Sequence, residues 1–148
     1  MKFIKTILNK LLLFLFLISV VNCQSDDGAV SCVPTQNINY TINLNLPQYY
    51  KLNNAGGWMY VDAAYGTGNR GLIIVKIGEN MYKAYDRNAP HICPTAKTQL
   101  MVEDDIKIIC PEDGAEWILT SGQPTKIANR APRTYQITKS GSSLYISN

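Results

Sequence analysis

The chain has 148 residues, a length that predicts one domain with enough residues to bury a real core. Its formal charge of +3 comes from Lys2, Lys5 and Lys10, because the residues after them contain 11 basic and 11 acidic side chains. This balance excludes a basic nucleic-acid surface, since neutralising phosphates requires a clustered excess of Lys and Arg.

The N-terminus has the pattern of an export signal. Charged residues up to Lys10 precede an apolar run at 11–18, which is too short to favour a bilayer span. The following Ser-Val-Val-Asn-Cys at 19–23 resembles a bacterial lipobox, although Asn22 departs from the usual small residue. The resemblance implies a signal peptide over 1–22 and lipidation of Cys23; the alternative is ordinary signal cleavage near residue 23.

Residues 23–38 are predicted to form a flexible tether, because they mix Ser, Asp, Gly, Pro and Asn without periodicity. The acidic segment 24–27 resembles the tether that follows the lipid-bearing cysteine in surface lipoproteins of Bacteroidetes-type bacteria. The resemblance implies an outer-membrane lipoprotein in a bacterial envelope, attached to the membrane through acyl chains on Cys23.

The cysteine count leaves one thiol over. If Cys23 carries lipid, then Cys32, Cys93 and Cys110 remain in an oxidising compartment, where exposed thiols tend to pair. One of the three is therefore expected to be unpaired or to pair with another molecule, and the role of Cys32 stays open.

From residue 39 to 148 the sequence predicts one all-β domain, a small antiparallel sandwich or barrel. Tyr40, Ile42, Leu44 and Leu46 alternate with polar residues, which is typical of a strand with one buried face. Eight further strand-like runs are separated by turn residues. These runs are 57–61, 72–77, 81–86, 98–102, 106–109, 115–119, 134–139 and 144–146.

Two short Cys/Pro loops carry the residues with metal or redox chemistry. The first, at 89–94, contains Cys93 and His91, which is the only histidine of the chain. The second, at 110–114, begins with Cys110. Each loop adjoins a strand-like run, so the two loops are expected to face each other.

The order of these strands and loops resembles the Rieske [2Fe-2S] domain over roughly residues 40–148. That family has Cys-x-His in its first loop and Cys-x-x-His in its second, which usually continues as Gly-x-x-aromatic, as Gly114 and Trp117 do here. The segment at 42–49 resembles the beginning of degenerate Rieske-like lipoproteins of Bacteroidetes-type bacteria. The resemblance implies a Rieske-type β fold.

Carried over position by position, the four cluster-ligand positions fall on Ala89, His91, Cys110 and Asp113. Only His91 and Cys110 match the family, and because alanine cannot ligate iron, the ordinary cluster is not expected to form. Cys93 is a candidate substitute ligand, giving an atypical cluster with Cys110, His91 and Asp113. The same four residues have acceptable ligand types for one zinc ion, without the spacing of known zinc modules.

The resemblance also implies a disulfide between the loops. High-potential Rieske domains carry such a bond beside the cluster, with one partner just after the first-loop histidine, a location close to Cys93. We therefore expect a Cys93–Cys110 disulfide in the space that a cluster would occupy, which leaves His91 as a hydrogen-bonded structural residue.

Three hypotheses of function follow. The first is an envelope lipoprotein whose Rieske-like domain has no cluster or other cofactor and serves as a binding or structural module. The second is an electron-transfer protein with an atypical [2Fe-2S] cluster and an unknown redox partner. The third is a surface glycan- or protein-binding lipoprotein that uses the aromatic side chains at 49, 50, 58, 60, 65, 82 and 85. No motif indicates a catalytic residue or an enzyme.

Overall fold

The computed structural model of the protein describes residues 30–148, so the expected signal peptide and Cys23 lie outside the described residues. The described chain forms ten antiparallel strands and one 3₁₀ helix (Pro47–Asn53). The strands in chain order are β1 (Asn39–Asn43), β2 (Trp58–Val61), β3 (Leu72–Gly78), β4 (Met81–Asp86), β5 (Met101–Glu103), β6 (Lys107–Ile109), β7 (Glu116–Ile118), β8 (Pro124–Lys126), β9 (Thr134–Ser140) and β10 (Ser143–Ser147). The predicted all-β class is confirmed.

The strands build two sheets. The larger has six strands in the order β1-β10-β9-β4-β3-β2, and the smaller has four in the order β5-β6-β7-β8. Every pairing is antiparallel. In the part of the chain that the structure covers, no helix has the length and apolar character needed to cross a bilayer.

Strand β3 lies between two hydrophobic cores. Its residues 72–75 are all fully buried, as expected when both faces of a strand are covered. Leu72 and Ile74 belong to a core formed within the six-stranded sheet and the 3₁₀ helix. Ile73 and Val75 belong to a second core with residues of the small sheet and the two Cys/Pro loops. Because side chains alternate along a strand, one face of β3 packs in the core of the main sheet and the other face packs against the loops and the small sheet.

The hairpins have the turn chemistry expected from the sequence. Asn80, between β3 and β4, has φ 56°, and Asp104 and Asp105, between β5 and β6, have φ 54° and 59°. Asn and Asp tolerate this left-handed conformation better than most residues, which suits them to tight hairpin turns. The small sheet is therefore folded largely by local connections.

The 3₁₀ helix and β8 have no counterpart in the predicted strands. Pro47 begins the helix, and its two buried residues, Tyr49 and Leu52, are three positions apart, which matches three residues per turn. Strand β8 has the sequence Pro-Thr-Lys, in which no residue is buried, so it has no hydrophobic pattern to detect. Its conformation is fixed by pairing with β7.

Candidate functional site between the two Cys/Pro loops

The first loop, residues 87–100, begins on a buried polar network at the end of β4. The carboxylate of Asp86 accepts hydrogen bonds from the backbone N–H of Asn88 at 2.7 Å, from its Nδ2 at 2.8 Å and from the Tyr135 hydroxyl at 2.7 Å. Asp86 is 3% exposed and Asn88 1%. Buried polar groups are costly unless they are paired, so this network fixes the direction in which the loop leaves β4.

The loop closes on itself like a wide hairpin. The N–H of Leu100 donates to the carbonyl of Arg87 at 2.8 Å, and the N–H of Ala89 donates to the carbonyl of Thr98 at 3.2 Å. Ala89 is buried in the same hydrophobic core as Cys110. A methyl group thus occupies, within the core, the position to which the Rieske resemblance assigns a cysteine ligand.

The predicted Cys93–Cys110 disulfide is wrong. Cys93 is bonded to Cys32, with 5.5 Å between their Cα atoms, and Cys110 is a free, buried thiol. The physical reason is that Cys93 lies on the exposed outer side of the first loop, whereas Cys110 points into the core. Among the described residues, Cys110 is the cysteine without a disulfide partner.

Residues 30–38 are part of the folded domain rather than a flexible tether. Val33 and Ile38 are almost completely buried, and the N–H of Val30 donates to the carbonyl of Pro90 in the first loop at 2.8 Å. Farther along, the N–H of Ile38 donates to the side chain of Asn148 at the other end of the chain. Apolar side chains at 33 and 38 and the disulfide together hold this segment on the domain.

The second loop, residues 110–115, is a tight turn held by local hydrogen bonds. The N–H of Cys110 donates to the Ala115 carbonyl at 2.9 Å, and the N–H of Gly114 donates to the Cys110 carbonyl at 2.8 Å. Gly114 has φ 74°, and the Asp113 carboxylate accepts from the N–H of Ala115 at 3.1 Å. An aspartate that binds backbone two residues on, followed by glycine, is a common way to build such a turn.

The two loops meet at His91, Cys110 and Asp113. His91 Nε2 lies 2.6 Å from Asp113 Oδ2, and one donor atom from each of the three residues lies within 4.8 Å of the others. Below them, the His91 ring contacts the Trp117 ring, with 5.5 Å between centroids, and Trp117 is fully buried. The fold therefore places the side-chain donor atoms of three of the four positions that the resemblance singled out close together in space.

Burial and hydrogen bonds shift the acidity of this group. Burial raises the pKa of the Cys110 thiol, with a smaller contribution from Asp113 in the same direction. Burial also acts to raise the pKa of Asp113, but hydrogen bonds with His91, the Ala115 N–H and Cys110 together hold that pKa below its ordinary value. Burial and the raised pKa both disfavour the thiolate form of Cys110, which is the form that reacts as a nucleophile.

The donor set does not fit a [2Fe-2S] cluster. Rieske clusters require two thiolates on one iron and two imidazoles on the other, whereas these loops offer one thiol, one imidazole and one carboxylate. Cys93, the expected substitute, is bonded to Cys32 and lacks a free thiol. The same bond removes Cys93 from the four-residue zinc set.

The aromatic side chains expected to form one binding face are divided between core and surface. Tyr49 and Tyr85 are buried, while Tyr65 is completely exposed and Tyr50 is 62% exposed. Tyr85 has no hydrogen-bond partner for its hydroxyl, and burial raises its pKa. Trp58, Tyr60 and Tyr82 are of intermediate burial and lie at the boundary of the core, as is common for aromatic side chains in β domains.

Sequence reasoning missed the partner of Cys93 and the network around Asp86. With Cys23 set aside as the expected lipid-bearing residue, three cysteines remained, which was a signal that Cys32 had to be considered for pairing. The place of Cys32 in a polar segment suggested a tether instead. The Asp86–Tyr135 contact joins residues 49 positions apart, and no local pattern indicates it.

Comparison with family models, curated proteins and solved structures finds no match for this chain.

Proposed function

We propose that the protein is an envelope lipoprotein whose Rieske-like β domain has lost its [2Fe-2S] cluster and serves as a binding or structural module. The observation that carries the proposal is the state of the cluster-ligand positions. Ala89 is 1% exposed within the core, and Cys93 is bonded to Cys32, so Cys110 is the one free thiol of the described residues. A cluster would need a second thiolate at this place.

The arrangement of the loops supports the Rieske-like part of the proposal. One loop follows β4 and the other joins β6 to β7 of a four-stranded sheet, and the two loops meet through His91 and Asp113. The lipid anchor, the envelope location and the membrane attachment at Cys23 rest on the lipobox resemblance. Under this proposal the protein acts by binding a partner or by serving a structural role, and not by transferring electrons.

The cluster is tested by purifying the full chain in detergent from cells grown with and without added iron. We expect a colourless protein without iron or acid-labile sulfide under both conditions. A brown protein with two irons and two sulfides per chain would overturn the proposal and favour electron transfer.

A variant that restores the missing ligand types tests whether the two loops have the arrangement of a Rieske cluster site. Ala89→Cys combined with Asp113→His supplies the two missing ligand types at the positions that the resemblance assigns. We expect this double variant to acquire iron, sulfide and visible colour, whereas Ala89→Cys alone should not. A folded double variant that stays colourless when iron is supplied would count against the Rieske-like arrangement of the two loops.

The anchor is tested separately by cell fractionation. The wild-type chain is expected in the membrane fraction, and Cys23→Ala is expected in a soluble fraction because acylation is lost. Ser25→Ala serves as the matched control, since it changes a small residue two positions after Cys23 and leaves every cysteine in place. A soluble wild-type protein would contradict the anchor and leave the cluster question unaffected.

A groove beside Tyr65 favours glycan binding as a second candidate function. The groove has a volume of about 510 Å³ and contains no charged side chain. Its polar lining consists of Gln36, Asn37, Asn39 and Asn69. Amide groups both donate and accept hydrogen bonds, which suits sugar hydroxyls, and the exposed Tyr65 ring offers a flat apolar surface.

The glycan candidate is tested with immobilised neutral oligosaccharides. Tyr65→Ala should reduce any binding by at least ~10-fold, a loss equal to about 1.4 kcal/mol. Tyr50→Ala is the matched control, because Tyr50 is also exposed but lies outside the groove. Binding that is unchanged by Tyr65→Ala would eliminate this groove as the sugar site.

A further inference from the structure

His91, Cys110 and Asp113 present three different donor atoms to one small space. A ligand atom from each, a nitrogen, a sulfur and a carboxylate oxygen, lies within 4.8 Å of the other two. In a tetrahedral zinc site the bonds are about 2.0–2.3 Å long, which places any two donors roughly 3.3–3.8 Å apart. The loops therefore need to shift by no more than about 1–2 Å to bring all three donors onto one ion.

We propose that His91, Cys110 and Asp113 bind a single divalent transition-metal ion of the zinc class, with water in the fourth position. The inference concerns one mononuclear ion in the space between the loops, and it holds whether or not the chain carries a lipid. Imidazole, thiolate and carboxylate are the ligand types that zinc takes in proteins, and three protein ligands with one open position is a recurring arrangement.

Burial of the donors supports the site. Cys110 is completely buried, and the side chains of His91 and Asp113 are 10% and 27% exposed. The thiol thus lies at the closed end and the carboxylate at the side nearer to solvent. This gradient leaves an entry path for an ion and a place for the fourth ligand, a water molecule.

The hydrogen bond between His91 Nε2 and Asp113 Oδ2 is 2.6 Å long and joins two of the three proposed ligands. Binding of the ion at Nε2 would replace this hydrogen bond with one bond from each residue to the metal. The other ring nitrogen, Nδ1, is buried and has no hydrogen-bond partner in the structure.

The local scaffold is rigid enough to preorganise the site. Cys110 and Asp113 are held in one tight turn by backbone hydrogen bonds, and the His91 ring contacts the buried Trp117. The disulfide to Cys32 ties the first loop two residues after His91. Because both loops are fixed, little conformational entropy has to be lost when the ion binds.

The test uses the full chain, purified in detergent, stripped of metal and titrated with Co²⁺ as the spectroscopic probe and Zn²⁺ as the competitor. Alkylation and mass spectrometry first establish that Cys110 is a free thiol. We expect one Co²⁺ per chain, with a thiolate-to-cobalt charge-transfer band and the intense visible bands of four-coordinate cobalt, both abolished by Zn²⁺.

Variants assign the ligands. Cys110→Ser should remove the charge-transfer band, and Cys110→Ser, His91→Gln and Asp113→Asn should each weaken binding by on the order of 100-fold or more, at least as much as loss of an outer-shell partner. Glu112→Gln is the matched control, because Glu112 is exposed, adjoins Asp113 and is not one of the three donors. It should bind Co²⁺ like the wild type.

The outcomes separate this inference from the proposed function. A wild-type chain with a free Cys110 thiol that takes up no Co²⁺, or a charge-transfer band that survives in Cys110→Ser, would overturn the metal site and leave the cluster-free module standing. Two irons with sulfide would overturn both. Because a variant can lose binding by unfolding, Zn²⁺ should also raise the melting temperature of the wild type and of Glu112→Gln but not of a folded Cys110→Ser.

Discussion

The two loops reach the same site by different means. The second loop, 110–115, is held almost entirely by its own residues, through the backbone bonds around Cys110 and the conformation of Gly114. The first loop, 87–100, is held by partners that are distant in sequence. Cys93 is bonded to a residue 61 positions earlier, and Asp86, at its start, is bonded to Tyr135. One loop of a site can thus be shaped by its own residues, while the other loop is shaped by residues that are distant in the sequence.

We therefore predict that removing the main restraint of the first loop lowers the free energy of unfolding of the protein more than removing the main restraint of the second loop. The largest effect should come from Cys93→Ser, which breaks the bond to Cys32. For a separation of 61 residues the chain-entropy model gives about 4 kcal/mol of lost stability. Chemical denaturation of the oxidised protein measures this loss.

Two controls sharpen the disulfide prediction. Cys32→Ser and the double variant should lose the same free energy of unfolding as Cys93→Ser, because each removes the same bond. A Cys93→Ser protein as stable as the wild type would mean that residues 30–38 are held without the disulfide and would remove the asymmetry between the loops.

The next largest effect should come from Tyr135→Phe, which removes the hydroxyl that donates to Asp86 at 2.7 Å. A hydrogen bond to a charged group contributes about 1.5–3 kcal/mol, so we expect a loss of about 2 kcal/mol. Urea denaturation provides the measurement. Tyr145→Phe is the control, because Tyr145 is about half exposed, and it should stay within about 0.5 kcal/mol of the wild type.

The smallest effect should come from Gly114→Ala in the second loop. Gly114 has φ 74°, and an added Cβ would meet no atom within 4 Å, so the cost is backbone strain alone, about 1–2 kcal/mol. Gly141→Ala is a matched control, with φ 56°, equally open space and a position between β9 and β10, away from the site. Equal losses in the two variants would show that the second loop behaves as an ordinary turn. A loss above about 3 kcal/mol at Gly114 alone would show that its conformation depends on tertiary contacts.

Most of the strands were predictable from the sequence, because their signals are local. In β1 the alternation of Tyr40 and Ile42 with polar neighbours appears as alternating burial, and β4 has the predicted bounds Met81–Asp86. The turn residues between β3 and β4 and between β5 and β6 were found for the same reason. Strand β8 was missed because pairing with β7, rather than its own residues, makes it a strand.

The candidate site was predictable in its composition and not in its bonding. The resemblance of the two Cys/Pro loops to those of the Rieske domain was what singled out His91, Cys110 and Asp113, and the fold brings these three residues together. The choice between Cys32 and Cys110 as the partner of Cys93 was beyond the sequence, because it depends on which side of the loop each thiol faces. The segment that contains Cys32 reaches the first loop at the hydrogen bond from the Val30 N–H to the Pro90 carbonyl, which is where the disulfide with Cys93 forms.

The sequence by itself determined the all-β class, the hairpin turns and the residue types at the site, since periodicity, turn chemistry and composition are properties of neighbouring residues. The tertiary structure alone decided the disulfide, the folding of residues 30–38 onto the domain and the burial of the Cys110 thiol. These features arise from contacts between residues tens of positions apart, which patterns among neighbouring residues do not encode.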